Sequence, residues 1–221
     1  MIIAIDGPAG SGKSTVAKAT AKQLGIQYLD TGAMYRTVAY RALRESVPLN
    51  DEAALAALAQ RTNVTFEHAE GSPVPTAVFA DGENVTAAIR TPEVDAAVSA
   101  VAKAPGVRAA MVPRQREIAH GDAVVEGRDI GTVVFPDAEV KVFLTASPEE
   151  RARRRHREQS AAGHEVTHDE VLERLQRRDV ADSTREASPA VQADDAVRID
   201  TTGFTAEQVV ARIARLAEER R

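Results

Sequence analysis

Five short strand-like runs, separated by longer stretches of helical periodicity, set the rhythm of this 221-residue chain. Ile2–Asp6 (IIAID) is a short apolar run, the pattern of a parallel strand covered on both faces. A glycine loop follows, then a helix carrying Val16, Thr20 and Leu24 on one stripe and stopping near Gly25. Gln27–Asp30 (QYLD) reads as a second strand, and residues 34–45 as a helix. Residues 123–125 (AVV) and 140–144 (VKVFL) read as further buried strands, and 196–200 as a fifth. Strands alternating with helices predict an α/β fold built on a doubly wound parallel sheet.

Two segments depart from that alternation. Residues 64–85 are strand-like and contain TAVFA at 76–80 followed by Asp81-Gly82, a favoured hairpin turn pair. They predict a small antiparallel sheet inserted in the core and framed by helices. The second of those helices opens at Thr91-Pro92-Glu93, where Thr can cap and Pro can take the first helical position. The other departure is the small-residue loop 160–164 (SAAGH) between two Arg-rich helices. Ser147-Pro148-Glu149-Glu150 and residues 167–170 open those helices with capping-box spacing, which predicts a flap between well-capped elements.

Composition narrows the class without naming a function. Apolar residues make up 43% and charged residues 28%, as in ordinary globular domains, and no Cys is present to form disulfides or thiolate metal sites. Met1 leads directly into the first strand, with neither a basic leader nor the roughly 20 apolar residues a membrane span needs. A cytoplasmic location away from membranes is expected. The net charge of −5 argues against a general nucleic-acid binder, and aromatic residues at 4% leave few stacking platforms. Yet the basic residues comprise 23 Arg against 5 Lys, with five Arg between 151 and 157. Coding bias produces such a ratio; so does a need for bidentate phosphate contacts. Position has to decide.

The strongest signal is Gly7-Pro8-Ala9-Gly10-Ser11-Gly12-Lys13-Ser14-Thr15, which fits G-x-x-x-x-G-K-[ST] between an apolar strand and an amphipathic helix. Its glycines let backbone N–H groups wrap a polyphosphate at a helix N-terminus. Lys13 would reach the β/γ-phosphates of ATP, and the Ser14 hydroxyl could ligate Mg²⁺. Three further clusters suggest a small phosphorylated acceptor. Asp30-Thr31-Gly32-Ala33-Met34-Tyr35-Arg36 follows the second strand, at the carboxyl edge where open α/β sheets bind ligands, so Arg36 can point back at a phosphate. Glu126-Gly127-Arg128-Asp129-Ile130-Gly131-Thr132 lies at the same edge. Arg178, Asp182 and Arg185 share a helix face, with Leu172 and Leu175 on another. The same spacing also suits a solvated ion-pair face. Arg151, Arg154 and Arg155 form one more face, with Glu149–Arg153 and Glu150–Arg154 as internal pairs. Beside a flap they read either as arginine fingers or as a solvated surface.

Taken in order, IDGPAGSGKST, LDTGAMYR, VTAAIRTPEV with Ser99, Val107-Arg108, PRQR at 113–116, GRDIGTVVFPDA and RRDVADSTR resemble the bacterial cytidylate kinases across nearly the whole chain. That resemblance implies a P-loop kinase core over 1–35 and 109–221, an inserted CMP-binding domain over 36–108 and a lid over 151–166. It implies ATP-dependent phosphorylation of CMP and dCMP, with Mg²⁺ accompanying ATP; separately, the chain is expected to act as a monomer. Residue by residue, it implies that Arg36, Arg128 and Arg185 hold the CMP phosphate, while Ser99, Arg108 and Asp129 read the cytosine. Arg178 and Asp182 would touch the ribose, and Arg151, Arg154 and Arg155 would close over ATP. Thr31 stands where some members carry Ser and keeps the hydroxyl. The rival readings are a P-loop kinase for UMP, shikimate or dephospho-coenzyme A, and a nucleotide-dependent switch, against which the lack of an N-K-x-D motif speaks.

Overall fold

The computed structural model describes residues 1–161, 163 and 165–220. In chain order the first half runs β1 (Ile2–Asp6), α1 (Lys13–Leu24), β2 (Gln27–Asp30), α2 (Thr31–Arg44), α3 (Glu52–Arg61), β3 (Val64–His68), β4 (Pro75–Ala80), β5 (Glu83–Asn84) and α4 (Pro92–Lys103). The second half runs α5 (Pro105–Ile118), β6 (Ala123–Glu126), β7 (Val140–Thr145), α6 (Pro148–Ala161), α7 (His168–Thr184), β8 (Val197–Asp200) and α8 (Ala206–Glu218). The main sheet has the order β2-β6-β1-β7-β8, and its pairings are parallel.

β1 sits at the centre, and its period-2 alternation distributes the core. Ile3 and Ile5 are buried on the face covered by α1 and α8, with Val16, Ala21, Val209 and Ile213. Ala4 points to the opposite face, into a cluster shared with Met34 and Val38 of α2 and Leu55 of α3. That cluster continues through Val64 and Val78 to Val98 of α4 and Met111 of α5, so the inserted segment packs on the sheet as one apolar body. Each fully buried Ile or Leu here contributes roughly 1.5–3 kcal/mol of burial free energy.

The inserted segment is the expected small antiparallel sheet, β3-β4-β5, and Asp81 and Gly82 at φ 50° and 86° make its tight turn. Thr91 caps α4 as its sequence suggests. Three local expectations are corrected. First, α2 begins at Thr31, three residues early, because the Asp30 carboxylate accepts from Ala33 N–H at 3.0 Å and starts the helix at the strand's end. Second, the box opening α6 is only half made. Ser147 Oγ accepts from Glu150 N–H, but the Glu150 carboxylate turns to Arg153 and Arg154 instead. At α7 the Thr167/Glu170 box is complete. Third, Arg185 lies one residue past the end of α7, in extended conformation, so it shares no helix face with Arg178. Of the flap expected at 160–164, residues 162 and 164 lie outside the described residues.

Candidate active site

The carboxyl edge of the sheet opens into a cleft of about 600 Å³, walled by the glycine loop, α2, α4, the turn after β6, and the facing helices α6 and α7. Ten basic side chains against six acidic ones line it, in a chain whose net charge is −5. The cleft is therefore a positive focus suited to anions.

At one end stands the glycine loop. Gly7 has φ 143°, and a Cβ there would lie 2.0 Å from the Leu144 carbonyl oxygen of β7, so only glycine lets the loop leave β1 this close to its neighbour. Gly12 caps α1 in the left-handed conformation and brings no side-chain acceptor, leaving the helix's first N–H groups without a side-chain cap. Side chains instead engage the loop's carbonyls. Lys13 Nζ donates to Pro8 O at 2.7 Å, Arg151 Nη1 to Ala9 O at 3.2 Å and Thr201 Oγ1 to Ser11 O at 3.1 Å. With carbonyls engaged in this way, the loop's N–H groups are what it can offer an anion.

Beneath the loop lies a buried polar cluster. Ser14 Oγ donates to Glu126 Oε2 at 2.9 Å, and Tyr28 Oη donates to the other carboxylate oxygen. Burial, reinforced by Asp30, pushes the Glu126 carboxyl up, and burial together with Arg128 pushes the Lys13 ammonium well down. Asp6, ending β1, accepts from Ile130 N–H and Gly131 N–H at 2.8 Å each; burial nevertheless raises its pKa to about 6. It pins the turn that carries Arg128 and Asp129. Among the described residues no group of three or more His, Cys, Asp or Glu could hold a metal by itself. The hydroxyl and carboxylate oxygens of Ser14 and Glu126 suit Mg²⁺ that arrives largely ligated by phosphate and water.

The other end is built from ion pairs. Arg36 Nη2 meets Asp95 Oδ1 at 2.5 Å, and Arg128 Nε meets Asp182 Oδ2 at 3.1 Å. Arg108 pairs with Asp129 in a buried contact and lies 5.2 Å over the Tyr35 ring. Arg185 stands 3.8 Å from Asp129, and Arg178 3.8 Å from Asp182 and 3.5 Å from Asp95. Burial and then Arg128 push the pKa of Arg178 down to about 10, leaving it charged at neutral pH. Arg108 Nε, Arg178 Nε and Arg185 Nη2 are buried and make no hydrogen bond among the described residues, so donors remain available after the internal pairing. Ser99 of α4 lines the same wall, and Thr31 Oγ1 is committed to Glu126 O at 2.7 Å.

The structure thus brings Arg36, Ser99, Arg108, Arg128, Asp129, Arg178, Asp182 and Arg185 around one cavity facing Lys13 and Ser14. The three α6 arginines separate. Arg155 lines the cleft and meets Asp95 Oδ2 at 2.9 Å. Arg151 is buried between Ala9 O and the Asp179 carboxylate at 2.7 Å, and Arg154 holds Thr201 Oγ1 and O at 2.9 and 2.8 Å. Neither Arg151 nor Arg154 is among the cleft-lining side chains, because both are spent on the glycine loop and the end of β8. Arg153 pairs with Glu150 rather than with Glu149. Sequence reasoning gave no role to Asp95, Glu126 or Asp6, nor to Arg174 and Arg177, which line the cleft from α7. The signal for Asp6 and Glu126 was visible: each is an acid ending an apolar strand at the ligand-binding edge.

A family profile described as cytidylate kinase matches residues 3–219. A cytidylate kinase of Desulfitobacterium hafniense (strain Y51) is 51% identical over 219 residues, covering 99% of this chain and 93% of that protein. One of Pelotomaculum thermopropionicum is 53% identical over 222 residues, covering 99% and 97%. Among solved structures, an uncharacterized protein from Eubacterium ventriosum ATCC 27560 aligns over 100% of this chain and 99% of its own, with TM-score 0.50 and 14% identity, a likeness of fold alone.

Proposed function

The chain belongs to the cytidylate kinase family, and with that as premise we propose how its cleft moves the γ-phosphoryl group of ATP onto CMP. The enzyme is a phosphotransferase that phosphorylates CMP at the expense of ATP. The observation that carries the assignment of ends is their opposition across one cleft: a glycine loop with uncapped helix N–H groups faces a wall of arginines. The loop, Gly7 to Thr15, takes the triphosphate. Arg36, Arg128 and Arg185 take the CMP phosphate, Ser99, Arg108 and Asp129 the cytosine, and Arg178 with Asp182 the ribose, with Thr31 at the base of the site. dCMP is a second acceptor.

In this reading a CMP phosphate oxygen attacks the γ-phosphorus in line, and the bond to the β,γ-bridging oxygen breaks as ADP leaves. The attacking phosphate is a dianion above its second pKa of about 6, so no general base is needed. The protein's part is placement and charge neutralisation. Lys13 leaves Pro8 O for the β/γ-phosphates, and Arg155, the α6 arginine that lines the cleft, is assigned to the transferring group. Arg151 and Arg154 act through the loop they brace. Mg²⁺, carried with ATP and met by Ser14 beside Glu126, would neutralise charge on the phosphate oxygens. The division into a core (1–35 and 109–221), a CMP-binding insertion (36–108) and a lid (151–166) describes how closure would exclude water. No described helix is long and apolar enough to cross a membrane; a monomer in the cytoplasm, binding no nucleic acid, completes the proposal.

A coupled ADP-release assay with CMP, dCMP, UMP, shikimate and dephospho-coenzyme A tests it. CMP and dCMP should be turned over far faster than the rest; equal turnover of UMP, or preference for either non-nucleotide, would reject the acceptor assignment.

A further inference from the structure

Asp95 stands where the arginines of three elements converge. Its Oδ1 accepts from Arg36 of α2 at 2.5 Å and lies 3.5 Å from Arg178 of α7, while its Oδ2 accepts from Arg155 of α6 at 2.9 Å. Three guanidinium groups around one carboxylate form the environment an oxyanion of a substrate would seek. The residue is half-buried in the first turn of α4, where the helix N-terminus also favours negative charge. Burial alone would raise its pKa, yet Arg36, Arg178 and Arg155 hold the carboxyl well below the usual range.

We propose that Asp95 is a resident anion which the acceptor's phosphate must displace from Arg36, so that this carboxylate sets the affinity of the cleft for phosphorylated nucleosides. The inference rests on the reading of Arg36 as a phosphate ligand. Two facts favour competition over a fixed scaffold role. Arg36 has one strong partner, Asp95, and its other contact, Ile89 O, is long at 3.5 Å. In the absence of ATP, Asp95 keeps Arg155 as a partner at 2.9 Å when Arg36 departs, so displacement leaves no carboxylate stranded. An arginine engaged by an internal anion for most of the time lowers apparent affinity by the fraction in which it is free. A ligand without a phosphate makes no demand on Arg36 and leaves the contact in place.

The experiment is calorimetric binding of CMP and of cytidine to wild type, Asp95→Asn and Asp95→Ser, without ATP. The expected result is a CMP Kd lowered about threefold to tenfold in both variants, with cytidine, which reaches this carboxylate only through Arg178, moving less than about twofold. Asp95→Ser keeps the test open should Asp95→Asn not fold. Unchanged or weaker CMP binding overturns the inference, since Asp95 would then be orienting Arg36 for the phosphate. Equal tightening of CMP and cytidine also overturns it, by showing a general change of the cleft. A wild-type chain that binds no CMP removes the reading of the cleft, and this inference with it.

Discussion

The glycine-loop end of the cleft is made from nine consecutive residues, whereas the arginine end gathers side chains from Thr31 to Arg185. At the loop end, charged side chains act on backbone carbonyls, and the backbone N–H groups are what the loop presents to the cleft. At the arginine end three of the cations already hold carboxylates closely: Arg36 with Asp95, Arg128 with Asp182, Arg108 with Asp129. The difference decides what a substitution does. At Lys13 it removes an interaction outright. At the arginine end it also releases a partner, and a buried charge left unpaired costs about 3–5 kcal/mol. Effects there are a balance, and conservative replacements are more informative than truncations.

Lys13→Ala should give the largest loss. Its fold contact is one hydrogen bond to Pro8 O, so the chain should fold while kcat falls by roughly two or more decades, as for other preorganised electrostatic groups. Steady-state kinetics with circular dichroism on the same sample checks it; near-normal turnover in a folded variant would remove the loop's assigned role.

The same contrast explains what the sequence disclosed. Backbone phosphate sites need glycines at fixed spacing, so residues 7–15 were legible locally, as was the strand–helix alternation around β1. The arginines at the other end were visible as motifs, but their carboxylates were not. Asp95 is 59 residues from Arg36 and 60 from Arg155, and nothing in local periodicity joins them. Arg151, Arg154 and Arg155 share a face by spacing. Which neighbour each meets depends on how deep α6 sits against the glycine loop, a tertiary quantity. The early start of α2 was missed for a different reason, since Asp30 serves as strand end and helix cap at once.

Asp182→Ala tests the arginine end at a shared carboxylate. Losing a hydrogen bond to a charged group costs about 1.5–3 kcal/mol, or roughly one to two decades in kcat/KM for both CMP and dCMP. The KM for ATP should move much less. Wild-type kinetics on both acceptors would make the Arg128–Asp182–Arg178 group a structural ion pair only.

Asp129→Asn should have a smaller effect on total activity and a sharper one on choice. The carboxylate sits against Arg108 and near Arg185, and a cytosine amino group would be one more donor to it. Uracil presents a carbonyl there, acceptor against acceptor, and buried sites reject such mismatches strongly. The amide can donate to uracil, so the CMP/UMP ratio of kcat/KM should shrink by about tenfold or more. Asp129→Ala should shrink it too, at a greater loss of stability from the unpaired Arg108. A ratio unchanged in both folded variants would leave Asp129 orienting its arginines and reading nothing.

Asp6 joins the two ends, and Asp6→Asn should change rate least and stability most characteristically. It is the last residue of β1, directly before Gly7, and its carboxylate holds the Ile130 and Gly131 N–H groups of the turn carrying Arg128 and Asp129. Its pKa rises from 3.8 to about 6 on folding, chiefly through burial. The folded chain therefore keeps this proton at pH values where the unfolded chain has lost it. Stability from the group is present below about pH 4 and is lost as pH rises through about 6, amounting to about 3 kcal/mol at 1.36 kcal/mol per unit. Asparagine carries no charge to desolvate, but only its carbonyl can accept, so one of the two N–H groups loses its partner. Urea unfolding of both proteins between pH 4.5 and 7.5 should show wild type losing ground to Asp6→Asn as pH rises, with most of the change below about pH 6.5. The freed N–H should loosen the turn and raise KM for CMP by a few fold, leaving KM for ATP nearly constant, because the glycine loop is held by Arg151 and Thr201 instead. Parallel pH curves for the two proteins would show that burial does not raise the Asp6 carboxyl. Equal changes in both KM values would show that Asp6 serves the loop as much as the turn, and that the two ends of the cleft are less separate than their construction implies.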